Sequence, residues 1–347
     1  MIKIDKHLIH KKSSVFIIAE LSANHGQDID IAKKTMEAAK NAGADAIKLQ
    51  TYTADTMTIN SNLDYFKINT GTLWDGRTLY DLYKEAYTPW EWHQELFEYA
   101  KEIGIVIFSS PFDYTAVDLL EDLKTPAYKV ASFEITDIPL IKYVASKGKP
   151  VIISTGIATL SEIEEAVLAC REMGNNQIIL LKCTSAYPAK VEEANLLTMQ
   201  NLKETFDVEI GLSDHTLGHS VPITSVALGA KVIEKHFILD KSIGGPDAAF
   251  SLDPEEFAEM VQSVREAEKA VGKVDYTLTK KKINNRKFSR SLFVVKEIKK
   301  GEKFTEENVR SIRPNDGIEP KYINEILGKQ ATTDISFGTP LTWDKIK

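Results

Sequence analysis

Two short runs rich in β-branched residues, 208–213 and 231–236, each end in polar residues that include a histidine. His215 follows the first and His236 closes the second, with a helix-like stretch over 221–229 between them. Parallel neighbouring strands joined by a crossover helix bring both imidazoles to one rim of a sheet. Two convergent histidines beside an acidic residue such as Asp247 suit a divalent cation with open coordination positions. A histidine pair alone is as readily structural, so the reading depends on what shares that rim.

Similar polar residues close the other strand-like runs. Glu20 ends the first, followed by Asn24 and His25. Lys48 and Gln50 end the second, Ser109 and Ser110 the third. The fourth holds Lys129 and Ser132 with Glu134 beyond, the fifth ends in Ser154 and Thr155, and the sixth in Lys182, Thr184 and Ser185. The seventh carries Ser213 and Asp214 before His215, and the eighth Lys235 before His236. A lone strand-end serine usually shapes a turn and a lone lysine usually reaches solvent. Eight ends that agree are a different matter. Lysines with a ring of hydroxyls cradle a phosphate. A phosphate cradle and a cation site in one cup, with Glu20 as candidate acid or base, suggest a phosphorylated substrate meeting a polarised carbonyl.

The elements that must place these residues follow a repeating plan. Strands are expected at 15–20, 46–50, 106–110, 127–132, 150–154, 177–183, 208–213 and 232–236. Helical patterns lie at 31–42, 90–103, 115–123, 139–147, 161–173, 193–206, 221–228 and 254–271. Eight such pairs in about 270 residues are the arithmetic of a (β/α)8 TIM barrel, whose catalytic groups sit at the strands' C-terminal ends. An open doubly wound sheet would carry a glycine-rich turn after its first strand, and AELSANHG has no G-x-G-x-x-G. The segment before Lys12 is read as an arm or a hairpin closing the barrel's bottom. The aromatic-rich stretch 51–89 is too long for a plain connection and is expected to wall the rim. Domains are placed at 1–272 (catalytic barrel), 273–290 (a basic linker) and 291–347 (a small strand-and-turn module).

Bulk properties narrow the function classes. A net charge of −7 over 347 residues argues against a non-specific nucleic-acid binder. No apolar run reaches the length of a membrane span, and Cys170 and Cys183 are the only cysteines, too few for a disulfide framework. A cytoplasmic protein is the simplest reading.

The stretches IIAELSANHG, GADAIKLQTY, FSSPFD, YKVASFEITDIPLI, KPVIISTGIA, GLSDHT and IEKHF with GGPD occur in order and resemble the sialic acid synthase family along essentially the whole chain. The C-terminal module is similar to that family's antifreeze-like (SAF) domain. AELSANH, KCTSAYPA and the segment TLWDGRTLYDLYKEAYTPWEWH liken the chain to the pseudaminic-acid-forming subgroup. The resemblance implies condensation of phosphoenolpyruvate with 2,4-diacetamido-2,4,6-trideoxy-altrose. It implies Mn2+ or Mg2+ on His215 and His236, and phosphoenolpyruvate on Lys48, Ser110, Lys129, Ser132, Ser154 and Ser213. Glu20, Glu134 and Asp247 become the catalytic carboxylates, with Gln50, Tyr187, Phe288 and Arg313 toward the sugar. Arg313 would come from the SAF domain of the partner in a domain-swapped homodimer. The alternatives are N-acetylneuraminate or legionaminic acid synthesis by the same mechanism, a Schiff-base aldolase using Lys129 or Lys182, and a non-catalytic carbohydrate- or ice-binding module.

Overall fold

The structure, a computed structural model, describes all residues of the 347 except Thr70, Thr72 and Leu73. It divides into two compact units, Met1–Gly272 and Lys273–Lys347. In the first, β1 (Ile2–Ile4) and β2 (His7–Ile9) form an antiparallel hairpin. The strands β3 (Phe16–Glu20), β4 (Ala46–Thr51), β5 (Val106–Pro111), β6 (Tyr128–Val130), β7 (Val151–Ser154), β8 (Ile178–Cys183), β9 (Glu209–Asp214) and β10 (Val232–His236) close into a barrel. Their pairing is parallel throughout, and β10 joins β3 to complete the circle.

Helices return the chain between the strands, and their starts are written in the sequence. Thr159 with Glu162 and Asp253 with Glu256 form capping boxes, each satisfying free N–H groups of a first helical turn. Asp28 and Asp113 cap two further helices alone. Both faces of the strands are buried, so their sequences read as nearly continuous apolar runs. Ile17, Ile47, Tyr128, Ile153, Leu180, Ile210 and Ile233 face the helices. Phe16, Ile18, Ala46, Phe108, Ile152, Leu181 and Val232 fill the lower bore, where Ile2, Ile4 and Ile9 of the hairpin pack against them. The N-terminal segment is thus the bottom closure.

Two elements differ from the sequence reading. The fourth strand stops at Val130, and Ser132–Glu134 forms a 3-10 turn in which the Ser132 hydroxyl accepts from the Gly156 N–H. The helix expected at 193–206 is split into a turn at Val191–Glu193 and a helix at Thr198–Phe206. Asn195, with φ +43°, lies between them in the left-handed region. Within 51–89, short helices at Ala54–Met57 and Leu79–Ala86 flank a Lys67–Thr78 bridge. Trp90 pins the base of this excursion by donating from its indole to the Tyr52 carbonyl. Thr72 and Leu73 of the subgroup-like stretch lie outside the described residues.

In the second unit, a helix at Lys280–Arg286 occupies part of the expected linker. β11 (Ser291–Val294) and β12 (Val309–Ile312) pair antiparallel over a small core that includes Leu292, Phe304, Ile326 and Leu341. No helix among the described residues is long and apolar enough to cross a membrane.

Gly211 marks a close approach of backbone in the barrel wall. A Cβ there would stand 2.3 Å from the Val232 carbonyl oxygen and 2.6 Å from a Leu181 methyl. Backbone cannot yield as a flexible side chain can, so Gly211→Ala should cost about 2–3 kcal/mol. Thermal unfolding should show a lowered midpoint, and an unchanged midpoint would mean that the wall is looser than this geometry.

Candidate active site

Strand alternation carries the bore upward from its apolar plug. Above Ile18 on the same face stands Glu20, above Ala46 stand Lys48 and Gln50, and above Phe108 stands Ser110. Ala127 leads to Lys129, Ile152 to Ser154 and Leu181 to Cys183. Gly211 leads to Ser213 and His215, and Val232 to Glu234 and His236. The upper bore is therefore polar and buried.

Lys48 is its electrostatic centre. Its ammonium lies 2.6 Å from Glu20 Oε2, 3.6 Å from Glu234 Oε1 and 3.3 Å from the Ser110 hydroxyl. Burial pushes the Glu20 carboxyl up to about 7, against the pull of Lys48. Glu234 is equally buried, but Lys48, Lys129 and His215 together outweigh burial and hold it below the usual range. Lys129 donates to the Val130 carbonyl at 2.9 Å, and burial lowers its pKa. The Gln50 amide donates to Glu20 Oε1 at 2.9 Å and to the Ser22 hydroxyl at 2.8 Å. The Ser154 hydroxyl is buried without a protein partner, as a group meant for a ligand would be.

The histidines meet beside this cradle, with ring centroids 5.3 Å apart. His215 Nδ1 is 3.0 Å from the Thr184 carbonyl, which fixes that nitrogen as a donor and turns Nε2 toward any ligand. Burial, then the neighbouring His215, keeps His236 neutral, and its buried Nδ1 has no hydrogen-bond partner. Asp247 Oδ2 lies 3.8 Å from that atom. Among the described residues, no three His, Cys, Asp or Glu side chains close around one point. Against burial, Cys183 and the Thr184 carbonyl raise the His215 pKa. A divalent ion would therefore bind there in place of the Nε2 proton, with neutral His236 and the carboxylate beside it and its remaining ligands from water or substrate oxygens. Tyr187 packs on His215 at 4.4 Å and on Phe250 at 5.2 Å, and Trp74 of the long excursion reaches Tyr187 at 5.8 Å. The excursion does wall the rim.

The sequence-read residues Glu20, Lys48, Gln50, Ser110, Lys129, Ser132, Ser154, Ser213, His215, His236, Asp247 and Tyr187 all belong to the upper bore or its rim. Glu134 lies just past Ser132, its Oε2 sealed from solvent without a partner. Phe288 and Arg313 are exposed residues of the second unit. Other strand-end residues face the helices instead. Lys182 shares its face with Ile178 and Leu180, which removes it as a Schiff-base candidate. Asp214 and Lys235 form a buried ion pair of 2.5 Å behind the wall, and Ser109 bonds to Thr51 there. Glu234 and Cys183 were not singled out from sequence. The signal for Glu234 was its place two residues before His236, which puts both on one strand face.

The sequence matches the NeuB family over residues 35–276 and the SAF domain over residues 289–347. It is 51% identical to the pseudaminic acid synthase of Helicobacter pylori, covering 95% of this chain and 97% of that one. It is 52% identical to the Campylobacter jejuni serotype O:23/36 pseudaminic acid synthase, covering 94% and 95%. Among solved structures, the Bacillus subtilis spore coat polysaccharide biosynthesis protein spsE superposes with a TM-score of 0.67 at 35% identity, covering 99% and 98%.

Glu134 offers a test of the site's electrostatics. Burial raises its carboxyl to about 7, despite Lys129. The folded state therefore holds this proton more tightly than the unfolded state. The associated stability is full below about pH 4.5 and is lost as pH rises through about 7. Glu134→Gln should accordingly gain roughly 1–2 kcal/mol over the parent at pH 8 and almost nothing at pH 4.5. Denaturant unfolding at the two pH values checks this, and an equal difference at both would refute it.

Proposed function

The chain belongs to the NeuB family, and on that footing we propose that it condenses phosphoenolpyruvate with 2,4-diacetamido-2,4,6-trideoxy-altrose and water, giving pseudaminic acid and inorganic phosphate. The observation that carries the chemistry is the buried pair Lys48 and Lys129, set among strand-end hydroxyls directly beside the two histidines. The likeness to two pseudaminic acid synthases supports the choice of acceptor. An N-acetylneuraminate or legionaminic acid synthase would use the same machinery on another sugar.

Lys48, Ser110, Lys129, Ser132, Ser154 and Ser213 hold the phosphate and carboxylate of phosphoenolpyruvate. Gln50 and Tyr187 face the sugar, joined by Phe288 of the linker and by Arg313 from the SAF domain of a second copy in a domain-swapped homodimer. His215 and His236 would hold Mn2+ or Mg2+, which supplies Lewis-acid polarisation of the acceptor's open-chain aldehyde when bound. The enol carbon attacks C1 of the sugar, leaving positive charge at C2 of the former enolpyruvate. Water adds at C2, and the tetrahedral intermediate expels phosphate by C–O cleavage. Glu20 handles the protons, while Glu134 and Asp247 orient groups around it. The cytoplasm, where phosphoenolpyruvate is made, is the expected location.

Phosphate release with Mn2+ present, measured against the altro sugar, its manno epimer and N-acetylmannosamine, tests this directly. Turnover confined to the altro sugar and abolished by a chelator is expected. Preference for another acceptor would overturn the sugar assignment, and borohydride trapping of Lys129 with pyruvate would overturn the mechanism.

Glu20 has its own test. A carboxyl at about 7 that works as a base is active when ionised, so kcat/KM should rise as pH passes from 6 to 8. Glu20→Gln should lower kcat by about 10^2 to 10^4 and remove that rise. A variant with parental turnover would take Glu20 out of the reaction.

A further inference from the structure

Directly after Glu20 the chain turns sharply. Ser22 adopts a left-handed conformation, φ +47°, which is uncommon for serine and aims the next residues back across the rim. Asn24, fully buried, donates from its amide to the Phe237 carbonyl at 2.9 Å and to the Ser251 hydroxyl at 2.8 Å. The Ser251 hydroxyl in turn donates to the Asp247 carbonyl at 2.7 Å. On its other side, the Asp247 carboxylate accepts from the Ser22 hydroxyl and the Ala23 N–H. The loop after β3 therefore holds the loop after β10 at both ends, from Phe237, next to His236, to Ser251. Asn24 Oδ1 remains buried without a partner. A residue serving only to fill space would be better apolar, since an unpaired buried amide oxygen is costly.

From this geometry we propose that Asn24 is a positioning residue: with Ser251 it clamps the loop after β10 so that Asp247 backs His236 at the cation position. The inference rests on the reading of His215 and His236 as cation ligands. It separates the clamp from the phosphate cradle, because Lys129, Ser132 and Ser154 stand on β6, β7 and the turn after β6, outside the clamped loops.

The test is Mn2+ binding to the full chain, followed by the paramagnetic resonance of free Mn2+, alongside phosphoenolpyruvate binding by calorimetry. Asn24→Ala and Ser251→Ala should each weaken Mn2+ at least tenfold. The double variant should be no weaker than the poorer single one, since both act through one link. Ser251→Thr keeps a hydroxyl and should retain parental affinity, and phosphoenolpyruvate affinity without metal should change less than twofold in all of them. Parental Mn2+ affinity in Ser251→Ala, or equal losses for both ligands, would overturn the clamp. Failure of the parent chain itself to bind Mn2+ would instead overturn the cation reading on which it rests.

Discussion

A lysine ammonium sealed inside a barrel must be paired, because an isolated charge in so dry a place is too costly to keep. Lys48 meets that constraint with Glu20 and Glu234, and the three residues stand on β4, β3 and β10. Those strands surround the seam where the last strand joins the first. The ion cluster therefore sits where the barrel closes, and its geometry depends on closure in the right register. A slip of one residue between β10 and β3 would turn Glu234 and His236 toward the helices and bring Lys235 into the bore. Fold and site are specified by the same pairing.

The apolar plug below and the polar bore above follow from one periodicity. Most strands contribute apolar residues to the lower layers and one or two polar groups to the upper layer, two residues further on. That is why Lys48 and Lys129 share a cup while Lys182 and Lys235 do not, although all four stand near strand ends. For the outward lysines the fold provides other partners. Lys235 pairs with Asp214 and also donates to the Thr216 carbonyl, bracing the turn that carries His215. The ion pair thus supports the histidine side of the rim from behind.

This division explains what could be read from the sequence. The strand count and the His215–His236 rim were visible because they depend on local patterns. The direction of a strand-end lysine was not, because in a parallel barrel both faces are apolar and the alternation loses its phase. Glu234 lies inside its strand, where a buried residue is usually apolar, and only its spacing of two from His236 marks it as facing the bore. Asn24 was noted beside Glu20, but its partners lie 213 and 227 residues away and only folding brings them together. Asn195 illustrates the reverse case: a helical pattern runs across it, and a single left-handed residue divides it.

The opposite tendencies of Glu20 and Glu234 give the cup its charge logic. With Glu234 ionised and Glu20 holding a proton for part of the time near neutrality, the negative charge facing Lys48 is reduced before substrate arrives. An anionic phosphate and carboxylate are drawn to such a site, and their arrival further disfavours the ionised form of Glu20. On the proposed reaction, that makes the ionised carboxylate a stronger base, able to take a proton from the attacking water. Gln50 keeps that carboxyl aimed, since its amide bonds to the oxygen of Glu20 that Lys48 does not approach and to Ser22 on the side of Asp247. One amide thus couples the proton-handling carboxyl to the carboxylate behind the histidines, and a shift at either would be felt at the other.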